Sequence, residues 1–140
     1  MRIEIQTVPH GRLRHSTTAD CQWIQDTLRI RVSALADWRH SMLIAFHELV
    51  EALLCEAHGV PSETVDAWDI GPGQDMDEPG DDPEAPYHKE HVAAGRLERQ
   101  LAHEFGVDWG AYEHAVDALS DGGRQNSQVQ TEARLGAWEA

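Results

Sequence analysis

Apolar and polar residues alternate in "RIEIQTV" near the N-terminus, where Ile3, Ile5 and Thr7 oppose Arg2, Glu4 and Gln6. A period of two predicts a half-buried strand. After a polar stretch from Pro9 to Asp20, "CQWIQ" and "LRIRVSAL" flank Asp26-Thr27 and set Leu28, Ile30 and Val32 on one face. These runs predict an antiparallel hairpin. From Asp37, an expected N-cap, the period lengthens to that of a helix: Leu43, Phe46, Val50, Leu53, Leu54 and Ala57 form one apolar stripe, closed by Gly59 and Pro61. A shorter helix is expected from Ser62, as its N-cap, with Val65, Trp68 and Ile70 on it.

Residues 71–86, "GPGQDMDEPGDDPEAP", lose all periodicity and predict a long exposed acidic loop. Helical spacing returns from about Tyr87 to Phe105, before Gly106, and Asp108 can cap a last helix presenting Trp109, Tyr112, Val116 and Leu119. The pattern predicts an α+β domain over residues 1–119: a small N-terminal antiparallel sheet packed on a bundle of three to four helices. Residues 120–140 are polar and predict a mobile tail. No internal repeat is present.

The formal charge of −14 and the absence of a basic patch argue against direct binding to nucleic acid or to an anionic membrane. No apolar run is long enough for a signal peptide or a membrane span, so a cytoplasmic location is expected. Cys21 and Cys55 are far apart and form no CxxC pair, which points away from a disulfide framework and from a cysteine-type zinc site.

The chemistry concentrates in "FHELVEALLC", residues 46–55. Residues four apart on a helix stand one above the other, so His47 and Glu51 can reach one ion. An imidazole and a carboxylate on adjacent turns suit zinc, and Glu48 beside them would be free to deprotonate a water. A partner lies in "PYHKEHVAAGRLERQLAHEF", where His91 and Glu98 share the apolar face with Ala94 and Ala102. Ionisable groups there are costly unless paired or ligating. His91 is thus the expected third metal ligand, with Glu98 as a fourth ligand or as an acceptor that fixes an imidazole tautomer. His88 competes with His91 for the role.

The stretch "RIRVSALADWRHSMLIAFHELVEALLC" resembles the strand, connection and HE-containing helix of minimal zincin-type metallopeptidases. The uncharged neighbours Ala45, Phe46, Leu49, Val50, Ala52 and Leu53 fit that pattern. Residues 1 to about 119 also resemble a group of small uncharacterised phage and prophage proteins with an "HELVEALLC"-like core and a downstream "DDPEAPY..EH" segment. The zincin resemblance implies a zincin-like strand–helix core and a hydrolase acting on a peptide or protein. The chain departs from HExxH in carrying Glu51 where a second His is expected.

The expected activity is therefore that of a zinc metallohydrolase of phage or prophage origin, with His47, Glu51, His91 and Glu98 around the metal and Glu48 as base; another divalent transition metal would also suit the ligands. Two other readings stay open. One is a non-catalytic phage interaction protein with a structural metal. The other is a metal-dependent nucleotide phosphohydrolase using Glu48 and Glu51, although oxygen-only magnesium sites sit poorly with two histidines. Monomer and homodimer both remain open.

Overall fold

The computed structural model describes residues 1–13 and 18–119. The expected tail, 120–140, lies outside them. Strands β1 (Arg2–Val8), β2 (Ala19–Ile24) and β3 (Thr27–Ser33) precede helices α1 (Trp38–His58), α2 (Ser62–Ile70), α3 (His88–Glu104) and α4 (109–119), with a 3-10 turn at Pro79–Asp81. The architecture is α+β: a small N-terminal sheet and four helices.

The hairpin forms as the alternation requires, with Cys21 opposite Ile30 and Trp23 opposite Leu28. Its turn falls one residue earlier than Asp26-Thr27, at Gln25-Asp26, and Gln25 adopts φ 55. Residues with a Cβ adopt left-handed backbone at a cost of about 1–2 kcal/mol, so glutamine gives no local signal for this turn. The expectation of a wholly antiparallel sheet is corrected by β1, which runs parallel to β3 in the register Ile3↔Leu28 and Ile5↔Ile30. The two-residue turn commits one edge of β3 to β2, so β1 takes the other edge and the order is β1-β3-β2. Alternation reports which side chains share a face. It carries nothing about strand direction.

Leu28, Ile30 and Val32 are fully buried against Leu43, Ile44 and Ala45 of α1, and this contact forms the main core. Ile3 and Ile5 share that face but remain 42% exposed, because β1 is an edge strand. Helix α1 starts where Asp37 Oδ1 accepts the Arg39 backbone N–H at 3.0 Å. It ends at Gly59, whose φ of 71 lets its N–H reach the Cys55 and Glu56 carbonyls.

The buried face of α1 differs from the expected stripe. Phe46, Val50, Leu53 and Leu54 are only half-buried and Ala57 is exposed, while Ser41, Ile44, Ala45 and Cys55 are buried. The reason is that α1 packs against both the sheet and α3, which draws the polar border carrying His47 and Glu51 inward. In α2 the cap is Pro61, and Ser62, the expected N-cap, is the first helical residue. Val65 and Trp68 pack against Cys55, Ala85 and Tyr87, whereas Ile70 is exposed.

Segment 71–86 is more than an exposed loop. Gly73, Gly80 and Ala85 are buried, and the Trp68 Nε1–H donates to the Pro79 carbonyl at 3.0 Å. Small residues let the backbone lie directly against side chains, a property that composition alone disguises as flexibility. Helix α4 is capped as expected, with the Ala111 N–H donating to Asp108 Oδ2 at 2.8 Å. No described helix is long and apolar enough to cross a membrane.

Candidate metal centre

Helix α1 presents His47 and Glu51 to α3, which presents His91 and Glu98. The helices approach closely because Ala94 and Gly95 lie at the crossing; a Cβ on Gly95 would come within 4.0 Å of His47 Cε1. The result is a small triangle of ligand atoms. His47 Nε2 lies 3.2 Å from Glu51 Oε2 and 3.2 Å from His91 Nδ1, and the last two atoms are 2.8 Å apart. Nitrogen and oxygen ligands at about 2.0–2.2 Å from a tetrahedral zinc stand roughly 3.3–3.5 Å from one another, so the two 3.2 Å edges need only a few tenths of an ångström of adjustment and the 2.8 Å edge must widen by roughly half an ångström or more. Among the described residues this is the one group of three ligating side chains within mutual reach.

The outer nitrogens decide which ring atoms are free. His47 Nδ1–H donates to Glu98 Oε1 at 3.2 Å, leaving Nε2 toward the triangle. His91 Nε2–H donates to Asp81 Oδ1 at 3.0 Å, leaving Nδ1. Both imidazoles are thus anchored through a carboxylate, the arrangement that fixes tautomer and ring orientation and raises ligand basicity in metal sites. Glu98 is held in turn by the Tyr112 O–H, which donates to its Oε2 at 3.2 Å.

The four expected ligands therefore separate. His47, Glu51 and His91 converge, while Glu98 stands behind His47 as the acceptor. His88, the competitor, is turned away: its Nδ1–H donates to the Gly80 carbonyl at 2.8 Å. That bond draws the acidic loop down on the site, where a Cβ on Gly80 would lie only 2.4 Å from His91 Cγ. Gly80, Asp81 and Tyr112 are site residues that no spacing in the sequence singles out. His58, which has no evident role in the sequence, pairs through Nδ1 with the buried Glu90 at 2.8 Å.

Charge follows the same geometry. Burial opposes protonation of His47, but hydrogen bonds to Glu51 and Glu98 outweigh it and raise its pKa to about 11. His91 shifts upward too, with burial overcome by its bond to Glu51. For Glu51 burial works upward, and the two imidazoles prevail to hold it below the ordinary carboxylate range.

Glu48 is different. It is half-buried, with no hydrogen bond or ion pair to a described residue, and burial followed by the charge of Glu51 pushes it up to about 8. Burial also raises the thiols, Cys55 to about 12, so neither cysteine offers a thiolate near neutral pH.

The triangle lines a broad cleft of about 1160 Å³ bounded by β2, α2, the acidic loop and α4. Side chains from four separate elements thus meet around one point that solvent and a ligand can reach. No protein-family model matches the chain, and neither curated proteins nor solved structures show a significant similarity to it, so the chemistry of this centre carries the functional reading.

Proposed function

We propose that the chain is a zinc-dependent hydrolase, with His47, Glu51 and His91 as the protein ligands and Glu48 as the general base. The observation that carries this reading is the ligand triangle whose two imidazoles are each anchored from behind by a carboxylate. Two nitrogens and one oxygen suit a borderline divalent ion such as zinc, and three protein ligands are the complement of a catalytic site. When bound, such an ion supplies Lewis acidity and makes a water easier to deprotonate.

The remaining work falls to Glu48. Its unpaired carboxylate, with an affinity for protons raised toward neutrality, is suited to take a proton from the attacking water and return it to the leaving group. With an amide substrate the water oxygen bonds to the carbonyl carbon, the C–N bond breaks and the nitrogen leaves protonated. The zincin resemblance favours a peptide substrate. Glu51 lowers the net charge of the ligand set relative to a second histidine, so slow turnover is expected. The nucleotide reading is weaker, since no described Lys or Arg lines the cleft to receive phosphates.

Elemental analysis of dialysed protein, with His47→Ala and Glu51→Ala alongside, tests the metal. About one zinc per chain, lost in both variants, is the expected result. Glu48→Gln should keep zinc and fold yet lower peptide hydrolysis by about 10²–10⁴-fold. No zinc in the native protein and none regained on adding it would refute the proposal. Bound zinc with no hydrolysis in either protein would favour a structural metal that joins α1 to α3.

A further inference from the structure

The walls of the cleft carry carboxylates without the lysines and arginines that accompany them on the rest of the described surface. Carboxylates come from each helical wall and from the loop: Glu48 from α1, Asp66 from α2, Asp75 and Glu78 from the acidic loop, Glu113 and Asp117 from α4. None of the described lysines and arginines lines it. Several are held outside the lining: Arg2 and Arg29 meet Glu4 on the sheet, Arg39 is held by Asp37 and the Phe105 carbonyl, and Arg99, at the rim, lies 4.9 Å over the ring of Trp109, a lining residue.

A net charge of −14 makes acidic surface common, but it does not by itself keep all the described lysines and arginines out of one cleft. Apolar side chains share the lining with these carboxylates, and Trp23 on β2 and Val65 on α2 are partly exposed there. Apolar surface ringed by anions matches a side chain with an alkyl stem and a cationic head. A second observation concerns the reacting end of the cleft. Glu48, beside the ligand triangle, meets no described lysine or arginine, and the cationic group next to it is the His47 imidazole.

Resting on the hydrolase reading above, we propose that this cleft takes a polypeptide segment rich in lysine or arginine, and excludes acidic segments and phosphates. The long-range part of the selection is electrostatic: the walls raise the local concentration of a cationic chain and repel an anionic one. The short-range part is the contact of the alkyl stems with the partly exposed Trp23 and Val65.

The test uses the full-length, zinc-loaded Glu48→Gln protein and matched fluorescein-labelled peptides that are lysine- and arginine-rich, neutral, or glutamate-rich. Anisotropy titrations should show the cationic peptide binding at least about ten-fold more tightly than the neutral one, with the preference shrinking as salt rises. Glu113→Lys combined with Asp117→Lys should weaken the cationic peptide by a further factor of about ten or more, whereas Glu84→Lys with Glu104→Lys, the same charge change outside the cleft, should weaken it far less.

Equal binding of neutral and cationic peptides, or equal weakening by both double variants, would overturn the inference, because any attraction would then belong to the overall charge. The zinc-loaded native protein separates the two layers of the reasoning. Cleavage of neutral and cationic peptides at equal kcat/KM would remove the charge selection and leave the hydrolase. Cleft-dependent binding of the cationic peptide without cleavage would keep the cationic ligand and remove the hydrolysis.

Discussion

Replacing Gly80 with alanine tests whether the acidic loop sets the position of a metal ligand. Gly80 is not among the glycines with left-handed backbone, so alanine meets no conformational obstacle and the effect is steric. Its Cβ would lie 2.4 Å from Cγ, 2.6 Å from Nδ1 and 2.9 Å from Cβ of His91. Non-bonded carbons rest at about 3.5–4.0 Å, so either the ring or the loop must move by about 1 Å. Metal sites tolerate ligand displacements of about 0.2 Å, so a shift of the ring should lower zinc affinity by at least the ~10–100-fold typical of lost supporting contacts. Overpacking should also lower stability by about 1–3 kcal/mol.

Gly73→Ala is the control. Its Cβ would meet Pro79 Cβ at 2.8 Å and Trp68 Nε1 at 3.0 Å, straining the same loop without touching His91. Zinc affinity by competition with a chromophoric chelator, paired with thermal melts, separates the two. Both variants should melt earlier, and only Gly80→Ala should lose zinc. If Gly80→Ala instead keeps native zinc affinity while losing as much stability as Gly73→Ala, the loop yields and His91 is fixed by something else.

Glu98→Ala removes the acceptor behind His47 and should lower zinc affinity by about 10–100-fold in the same competition assay, whereas Tyr112→Phe, which leaves the Glu98–His47 bond in place, should cost less than ten-fold. Glu48→Gln should stabilise the zinc-free protein by roughly 1–3 kcal/mol in urea denaturation, because it removes a desolvated carboxylate without a partner; a loss of stability would show that Glu48 has a structural role. The pKa values of His47 and Glu48 are raised on folding, so the zinc-free native state binds more protons than the unfolded chain as pH rises through about 4.5–8 for Glu48 and about 6.5–11 for His47. Stability should therefore fall from about pH 6 toward pH 10, while Glu51, held low, makes it fall again below about pH 4.5. Melts of zinc-free protein across this range check the signs, and a stability that rises between pH 6 and 10 would refute them.

The centre was partly legible in the sequence because two of its relations are local. His47 and Glu51 are set by the helical repeat, and His91 and Glu98 by the apolar face of a second helix, so both helices could be read separately. What spacing does not carry is which nitrogen of each ring faces the ligand triangle. That depends on Asp81 behind His91 and on Glu98 behind His47, the first from a loop that composition marks only as acidic, the second held by Tyr112, which reads as an apolar contact on its helix. The same limit applies to the fold. Alternation located all three strands, yet the parallel placement of β1 follows from which edge of β3 is left free. The half-exposure of Phe46, Val50, Leu53 and Leu54 follows from the docking of α3, which lies far away in the chain.

The hydrogen bonds around the triangle suggest why such a centre can fold before it meets a metal. The carboxylates of Glu51, Glu98 and Asp81 favour protonation of both imidazoles, whose ring nitrogens each lie within 3.2 Å of a carboxylate oxygen. A divalent ion held by His47 Nε2 and His91 Nδ1 would take the place of the protons on those atoms and supply two positive charges, so the balance among the three carboxylates would be kept. Exchange of this kind demands little rearrangement, since the outer nitrogens keep their bonds to Glu98 and Asp81 throughout. It also couples metal to pH: below neutrality protons hold the site more firmly, and zinc affinity should fall by up to a hundred-fold per pH unit where both imidazoles compete. Calorimetric titrations in buffers of different ionisation enthalpy count the protons directly. Release of protons on zinc binding, up to two per ion, is the expected result, and a release near zero would mean that both ring nitrogens were unprotonated before binding and would refute the exchange.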